Sequence, residues 1–220
     1  VRTTILSEKA FSDILNLSYS RKYTISGVGA NASEGIEAYI TNGVSLTLPG
    51  IKGKGHAMLV LEKDYLELRN YLGVMGYEIF SRFVVKVDYD NKMLMLTTPK
   101  YFKPPRRYEE IDISVEDTKP YLTGKLLLED NTELDLKLMV DSGASHGLML
   151  LENSDDQLTL PRKNIRCNLG RGLAGELHGK VGRLKSFSIG KRKWENILAT
   201  FPEETSLLDS IKGTSVIRNG

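Results

Sequence analysis

The sequence predicts an all-β fold with a few short helices, built as two related halves of one chain. Three observations lead to this prediction. Apolar runs of strand length flank turn signals at several places, only two segments show the period of a helix, and a pattern of apolar residues and glycines in the first half returns in the second. The 220 residues suffice for two halves of about 100 residues each.

Both predicted helices lie in the first half. Ser7 can cap a segment in which the apolar residues between positions 10 and 15 recur at helical spacing. A capping pattern that begins at Asp64 predicts a second helix over residues 65–72, and Gly73 is placed to end it.

Turn signals between short apolar runs predict three β-hairpins. The predicted strands are residues 35–40 with 44–48, residues 83–87 with 93–97, and residues 126–129 with 134–140. The strongest of these signals is Asn42-Gly43, a dipeptide typical of two-residue hairpin turns.

A change in composition divides the chain. Around residues 98–119 the apolar period is lost, and prolines and charged residues dominate, as in Pro104-Pro105-Arg106-Arg107. We therefore predict a first lobe over residues 1–99, a linker over residues 100–120 and a second lobe over residues 121–220.

The two halves resemble each other when they are aligned without gaps. Ile5 then falls on Leu148, an offset of 143 residues, and the same offset holds as far as Gly29. The paired glycines are Gly27 with Gly170 and Gly29 with Gly172. Further along, the offset becomes 140, and Gly50 falls on Gly190. This pattern predicts an internal repeat.

Composition argues against several classes of function. Thirty basic and 28 acidic residues leave a net charge of +2, which is too balanced to indicate a nucleic-acid partner or an anionic membrane. No apolar run approaches the roughly 20 residues of a membrane span. Cys167, His56, His146 and His178 do not have the spacing of a metal site. We predict neither a metal nor a cofactor.

The chemistry is predicted at a loop that follows an apolar strand, residues 134–140. The loop reads Asp141-Ser142-Gly143-Ala144. Gly143 leaves the Asp141 carboxylate uncrowded, and its backbone amide can donate to that carboxylate. The Ser142 hydroxyl can bond across to a partner loop.

This loop resembles the Asp-Thr/Ser-Gly-Ala/Ser active-site loop of the pepsin-like and retropepsin-like aspartic proteases. A second segment, Leu72-Gly73-Val74-Met75-Gly76-Tyr77-Glu78-Ile79-Phe80, resembles the hydrophobic-hydrophobic-glycine element of that family. In bacterial two-lobed members this element leads into a short helix and a Phe-rich strand, as Phe83-Val84-Val85-Lys86-Val87-Asp88-Tyr89 would here. Gly76 would let the segment pass close behind the active-site loop.

The resemblance implies a two-lobed acid-protease barrel that hydrolyses peptide bonds by a water activated between two aspartates, without metal or cofactor. Asp141, Ser142 and Gly143 are then the catalytic loop. The expected substrate-binding residues are Gly27, Gly29, Gly170, Gly172 and Ala144, the paired glycines lying where the family has flap-like loops. The expected partner is a peptide or protein substrate. The resemblance also implies an exported protein, periplasmic or extracellular, with a possible PDZ-type domain after the second lobe.

The repeat places the second aspartate outside this sequence. Aligned backward from Val1, the first Asp-Thr/Ser-Gly triplet would end on the residue just before Val1, so its aspartate would lie three residues upstream. The hydrophobic-hydrophobic-glycine element of the second copy would follow Gly220. We therefore expect both ends of the chain to be truncated.

Three alternatives compete with a two-lobed aspartic peptidase. Residues 143–147 satisfy G-x-S-x-G, the nucleophile elbow in which Ser145 would attack, but that elbow needs a strand-turn-helix within βαβ units, and the sequence predicts hairpins. A catalytically inactive peptide-binding module on the same fold is the main alternative. A single-aspartate lobe that dimerises is disfavoured by the internal repeat.

Overall fold

The computed structural model describes residues 2–25, 35–65, 67, 71–203 and 215–217. Most of these residues lie in β-strands and a few lie in short helices, which confirms the coarse fold prediction. The described chain separates into two compact units, with the division between Pro105 and Arg106. The exact lobe and linker boundaries stay a prediction.

The first unit contains a five-stranded sheet and a separate hairpin. Its elements are β1 (Ile5–Leu6), α1 (Lys9–Ile14), β2 (Tyr19–Ile25), β3 (Ile36–Leu48), β4 (Ile51–Leu61), β5 (Gly73–Val74), α2 (Tyr77–Phe80), β6 (Val84–Asp88), β7 (Met93–Thr97) and the 3-10 turn Pro99–Tyr101. The sheet order is β2-β3-β4-β1-β5, and β6 pairs with β7. Strand β1 runs parallel to β4 and antiparallel to β5.

The second unit contains an eight-stranded sheet. Its elements are β8 (Ser114–Glu116), β9 (Lys119–Leu127), β10 (Glu133–Val140), β11 (Leu148–Met149), the 3-10 turn Glu152–Ser154, β12 (Asn164–Gly172), β13 (Gly175–Ile189), β14 (Arg192–Pro202) and β15 (Ser215–Ile217). The order is β12-β13-β14-β11-β15-β10-β9-β8, with a further pairing of β13 to β9. Strand β11 runs parallel to β14 and antiparallel to β15.

A leucine-rich core holds the second unit together. Strand β10 alternates along its length, with Leu134, Leu136 and Leu138 buried between exposed polar residues. These side chains pack with residues such as Leu150 and Phe201 in one cluster. The alternation of buried and exposed residues therefore determines which face of β10 packs into the core. It also determines where the strand ends, just before Asp141.

Among the described residues, the first unit does not contain the closed barrel that the resemblance implied. The sheet of the first unit is open, with β2 and β5 at its edges among the described residues. The larger sheet keeps the edge strands β12 and β8, although β13 is long enough to pair with three neighbours.

One of the three predicted hairpins is wrong. Strand β3 runs without interruption through Asn42-Gly43, where the register against β4 shifts between Thr41 and Val44. Gly43 has a positive φ of 73°, so the dipeptide forms a bulge in one long strand. The turn lies instead at Pro49-Gly50, where Leu48 pairs with Ile51.

The two other hairpins are confirmed. They are β6 with β7 and β9 with β10. In the first of them the Asp88 carboxylate accepts a hydrogen bond from the Asn91 amide at 3.0 Å, which stabilises the turn. That bond, with a second from the Asn91 side chain, lowers the pKa of Asp88.

One predicted helix is confirmed, and the other is not found among the described residues. Helix α1 begins after Glu8, whose side chain makes no capping bond, and the predicted cap, Ser7, is buried. The second predicted helix falls partly on residues outside the described ranges. Among residues 64–72, those described are not helical, and Gly73 begins β5.

Among the described residues, no helix is long and apolar enough to cross a membrane.

Candidate active site

The Asp141 loop begins where strand β10 leaves the sheet. Val140, the last residue of β10, pairs with Ile217 of β15, and Asp141 follows it half-buried. The Gly143 amide donates to Asp141 Oδ1 at 2.8 Å, and the Ala144 amide donates to the Asp141 carbonyl at 3.3 Å. The loop is therefore a tight turn that holds the carboxylate against its own backbone.

Gly143 leaves little room for a side chain beside this carboxylate. A Cβ at that position would lie 3.2 Å from Asp141 Oδ1. Ser142 and Gly143 are exposed, whereas Ala144 is half-buried. Among the described residues, no second carboxylate is hydrogen-bonded to Asp141.

The β12–β13 hairpin lies beside the Asp141 loop within the second unit. Its turn is Leu173-Ala174, and Gly172 pairs with Gly175 at its base. A Cβ placed on Gly170 would lie 3.9 Å from Ser145 Oγ. The structure thus brings Gly170 close to the loop that contains Asp141.

His146 joins the same loop to the hairpin. Its half-buried ring is hydrogen-bonded to the backbone carbonyl of Leu169 on β12. Burial lowers the pKa of His146 below the ordinary value of 6.5, and the bond to Leu169 offsets this in part. The sequence identified His146 only as a neighbour of the loop, because a contact with a residue more than 20 positions away has no local signal.

The lowered pKa of His146 predicts a pH dependence of stability. The unfolded chain takes up this proton at a higher pH than the folded chain, so the free energy of unfolding should fall as the pH drops through 6.5 and the folded-state pKa. His146→Gln should reduce that fall, since a glutamine side chain cannot be protonated in this pH range. The fall in stability is measured by comparing the urea concentration at the midpoint of unfolding at about pH 7.5 with that at about pH 5. Ser145→Ala, an exposed change in the same loop, should keep the wild-type dependence, and an unchanged dependence in His146→Gln would contradict the prediction.

Gly170 adopts a backbone conformation that other residues rarely adopt. Its φ is +121°, and the register of β12 against β13 shifts between Asn168 and Gly170. Because the space around it is open, Gly170→Ala should cost only backbone strain, about 1–3 kcal/mol of unfolding free energy. Urea denaturation can measure this loss. Gly147→Ala is the control, since a Cβ there meets nothing within 4 Å; equal stabilities of the two variants would refute the prediction.

In the first unit, residues 2–4 are held by the segment that starts helix α2. The Gly76 amide donates to Thr4 Oγ1 at 3.0 Å, and the Thr4 amide donates to Glu78 Oε1 at 2.6 Å. A Cβ on Gly76 would lie 2.5 Å from the Thr3 carbonyl carbon. Gly76 therefore packs directly against the backbone of Thr3 and Thr4. The hydrogen bond between Glu78 and Thr4 had no signal in the sequence beyond the place of Glu78 two residues after Gly76.

The predicted site residues are only partly brought together. Asp141, Ser142, Gly143 and Ala144 form one loop, and Gly170 lies beside it. Gly172 closes the hairpin. Gly27 and Gly29 lie outside the described residues.

The structure does not have the context that a serine nucleophile elbow requires. The residues after Ser145 lead into strand β11 at Leu148, and a nucleophile elbow leads into a helix. The other histidine after Ser145 is His178 on β13, and its Nε2 atom lies 3.3 Å from Oε2 of Glu176.

Within the described ranges, no group of three or more His, Cys, Asp and Glu side chains could hold a metal ion.

Comparison with known proteins finds a similar chain among solved structures. No family model matches the chain, and no curated protein matches it. Among solved structures, the chain is similar to a retropepsin-like aspartic protease from Rickettsia conorii, with 21% sequence identity and a TM-score of 0.31. The match covers 51% of this chain and 85% of that one.

Proposed function

We propose that this chain is an aspartic-type peptidase, in which Asp141 and a second aspartate activate a water for attack on a peptide bond. The observation that supports this most is a strand order that the two units share. Five strands of each unit follow the same order, β2-β3-β4-β1-β5 in the first and β12-β13-β14-β11-β15 in the second.

The pairing registers support an internal repeat residue by residue. Leu6 pairs with Val60 in parallel and with Gly73 in antiparallel orientation. In the second unit the residue aligned with Leu6 is Met149, which pairs with Thr200 and with Val216 in the same two orientations. Leu6 and Met149 differ by 143 residues and Val60 and Thr200 by 140, as the sequence predicts, whereas Gly73 and Val216 again differ by 143.

The repeat implies where the second carboxylate belongs. Residues 2–4 of the first unit correspond to residues 145–147 of the second, which follow the Asp141 loop. The equivalent of Asp141 would thus lie three residues before Val1, in an Asp-Thr/Ser-Gly triplet. In the second unit β15 occupies the place of β5, at Val216 and Ile217. We therefore propose that the corresponding hydrophobic element of the second copy begins at these residues and not after Gly220.

Two carboxylates are needed because one must accept a proton while the other donates one. When they lie within about 3 Å of each other they cannot both be ionised, so they share one proton. The ionised carboxylate takes a proton from water as the oxygen attacks the peptide carbonyl carbon. The protonated one donates to the carbonyl oxygen, and the leaving nitrogen is protonated as the C–N bond breaks.

The β12–β13 hairpin is suited to hold an extended substrate. Strand β12 is an edge of the sheet, so part of its backbone is open to pairing with a peptide. Gly170 and Gly172 remove side chains from this strand near the Asp141 loop. Recognition through main-chain hydrogen bonds makes a peptide or an unfolded protein the expected substrate.

The proposal is tested with the full-length protein and a denatured protein substrate between about pH 4 and pH 7. Fragments identified by mass spectrometry, suppressed by pepstatin and unaffected by a serine-hydrolase reagent, are the expected result. Tight binding of the substrate without cleavage would instead favour the inactive peptide-binding module.

A further inference from the structure

Glu78 makes two separate hydrogen bonds to the first residues of the described chain. Its backbone amide donates to the Arg2 carbonyl at 3.3 Å. Its side-chain Oε1 accepts the Thr4 amide at 2.6 Å, across 74 positions of sequence. One residue of helix α2 therefore fixes the backbone on both sides of Thr3.

The carboxylate of Glu78 is more buried than that of an exposed glutamate. Its second oxygen, Oε2, is buried without a hydrogen-bond partner among the described residues. A Cβ on Gly76 would lie 2.4 Å from that oxygen, so only glycine leaves room for the carboxylate behind residues 2–4. A buried carboxylate oxygen is costly unless the other interactions of the group hold it in place.

We infer that Glu78 is a positioning residue for the active site. This inference rests on the proposed function, in which residues 2–4 directly follow the loop of the second aspartate. In the second unit the equivalent backbone, residues 145–147, follows Asp141 within a few residues. Holding the Thr4 amide and the Arg2 carbonyl fixes the direction in which the chain leaves that loop. Glu78 would thereby orient the loop of the second aspartate without touching the substrate.

The test uses three substitutions at Glu78 in the full-length protein. Glu78→Ala removes the acceptor, and Glu78→Asp keeps the charge but withdraws the oxygen from the Thr4 amide by one methylene group. Each should lower kcat about 100-fold, as expected for a misplaced catalytic group, with KM changed less than about twofold. Glu78→Gln keeps an oxygen for Thr4 and should recover most of kcat. The Asp and Gln pair decides the outcome even if Glu78→Ala does not fold.

A second measurement reports on the contact directly. Hydrogen exchange of the Thr4 amide should be slow in the wild type and in Glu78→Gln, and at least tenfold faster in Glu78→Asp. Glu37→Ala is the control, because it removes an exposed ion pair with Lys22 from the same unit; it should change neither kcat nor the exchange at Thr4.

Two failures are distinguishable. If the wild type cleaves and Glu78→Asp cleaves equally well, or if Glu78→Gln is as impaired as Glu78→Asp, the role of Glu78 is wrong while the proposed function stands. If the wild type does not cleave any substrate, the proposed function fails, and the inference fails with it.

Discussion

Asp141→Asn in the full-length protein should lower kcat at least about 1,000-fold, because the rate acceleration by proton transfer depends on this one positioned carboxylate. Asparagine has nearly the same shape, and its side-chain oxygen can still accept the Gly143 amide bond that Asp141 Oδ1 accepts at 2.8 Å. It cannot ionise, however, so it cannot share a proton with a second carboxylate. The loop should keep its conformation while the chemistry is lost.

The control for this variant is Asp135→Asn on β10, the strand that leads to Asp141. Asp135 is exposed on β10 and lies 3.8 Å from Lys125, so its loss should leave both cleavage and stability near wild-type values. Cleavage rates on a denatured substrate, together with thermal unfolding, measure both effects. Proteolysis by Asp141→Asn within tenfold of the wild type would exclude Asp141 from the mechanism.

Gly76→Ala should be the most damaging change in the first unit. The new Cβ would lie 2.5 Å from the Thr3 carbonyl carbon and 2.6 Å from the Thr4 nitrogen, and both are backbone atoms that cannot move aside alone. Overpacking of this kind should cost about 3 kcal/mol, which would lower the Tm of a unit of about 100 residues by more than 10 °C.

Gly147→Ala serves as the comparison, since a Cβ there meets nothing within 4 Å. Differential scanning calorimetry should show a lower unfolding temperature in Gly76→Ala and a near wild-type one in Gly147→Ala. Equal unfolding temperatures for the two variants would show that residues 2–4 do not pack on Gly76 as the structure describes.

Much of the fold was predictable because the second unit follows simple rules. The alternation of Leu134, Leu136 and Leu138 is the period of a half-buried strand, and it ends just before Asp141. The turn at residues 130–132 has polar residues that hydrogen-bond locally, as the Thr132 amide does to Asp130 Oδ1 at 2.9 Å. Local patterns of this kind determine both a strand and its end.

The errors arose where tertiary contacts override a local signal. Asn42-Gly43 has the composition of a hairpin turn, but β3 continues past this point and pairs with β4 as far as Leu48, and the positive φ of Gly43 is used in a bulge. Ile14 and Leu15 have helical spacing yet are exposed, whereas Ser12 of the same helix is fully buried. Periodicity alone could not show which side of α1 packs.

The site was predictable only in its local part. Asp141 and Gly143 are two residues apart, so the bond between them follows from the loop sequence. The contacts of His146 with Leu169 and of Glu78 with Thr4 join distant parts of the chain and depend on the fold. Export and a downstream PDZ-type domain come from the resemblance alone and stay predictions.

The most direct test of the central claim is the pH dependence of kcat/KM for cleavage by the full-length protein. Two carboxylates that share one proton should give a bell-shaped profile in which both limbs lie in the acidic to neutral range, because activity needs one of the pair ionised and the other protonated. A profile in which kcat/KM rises with pH and then stays constant up to neutral pH, without a second limb on which it falls, would contradict the two-aspartate mechanism.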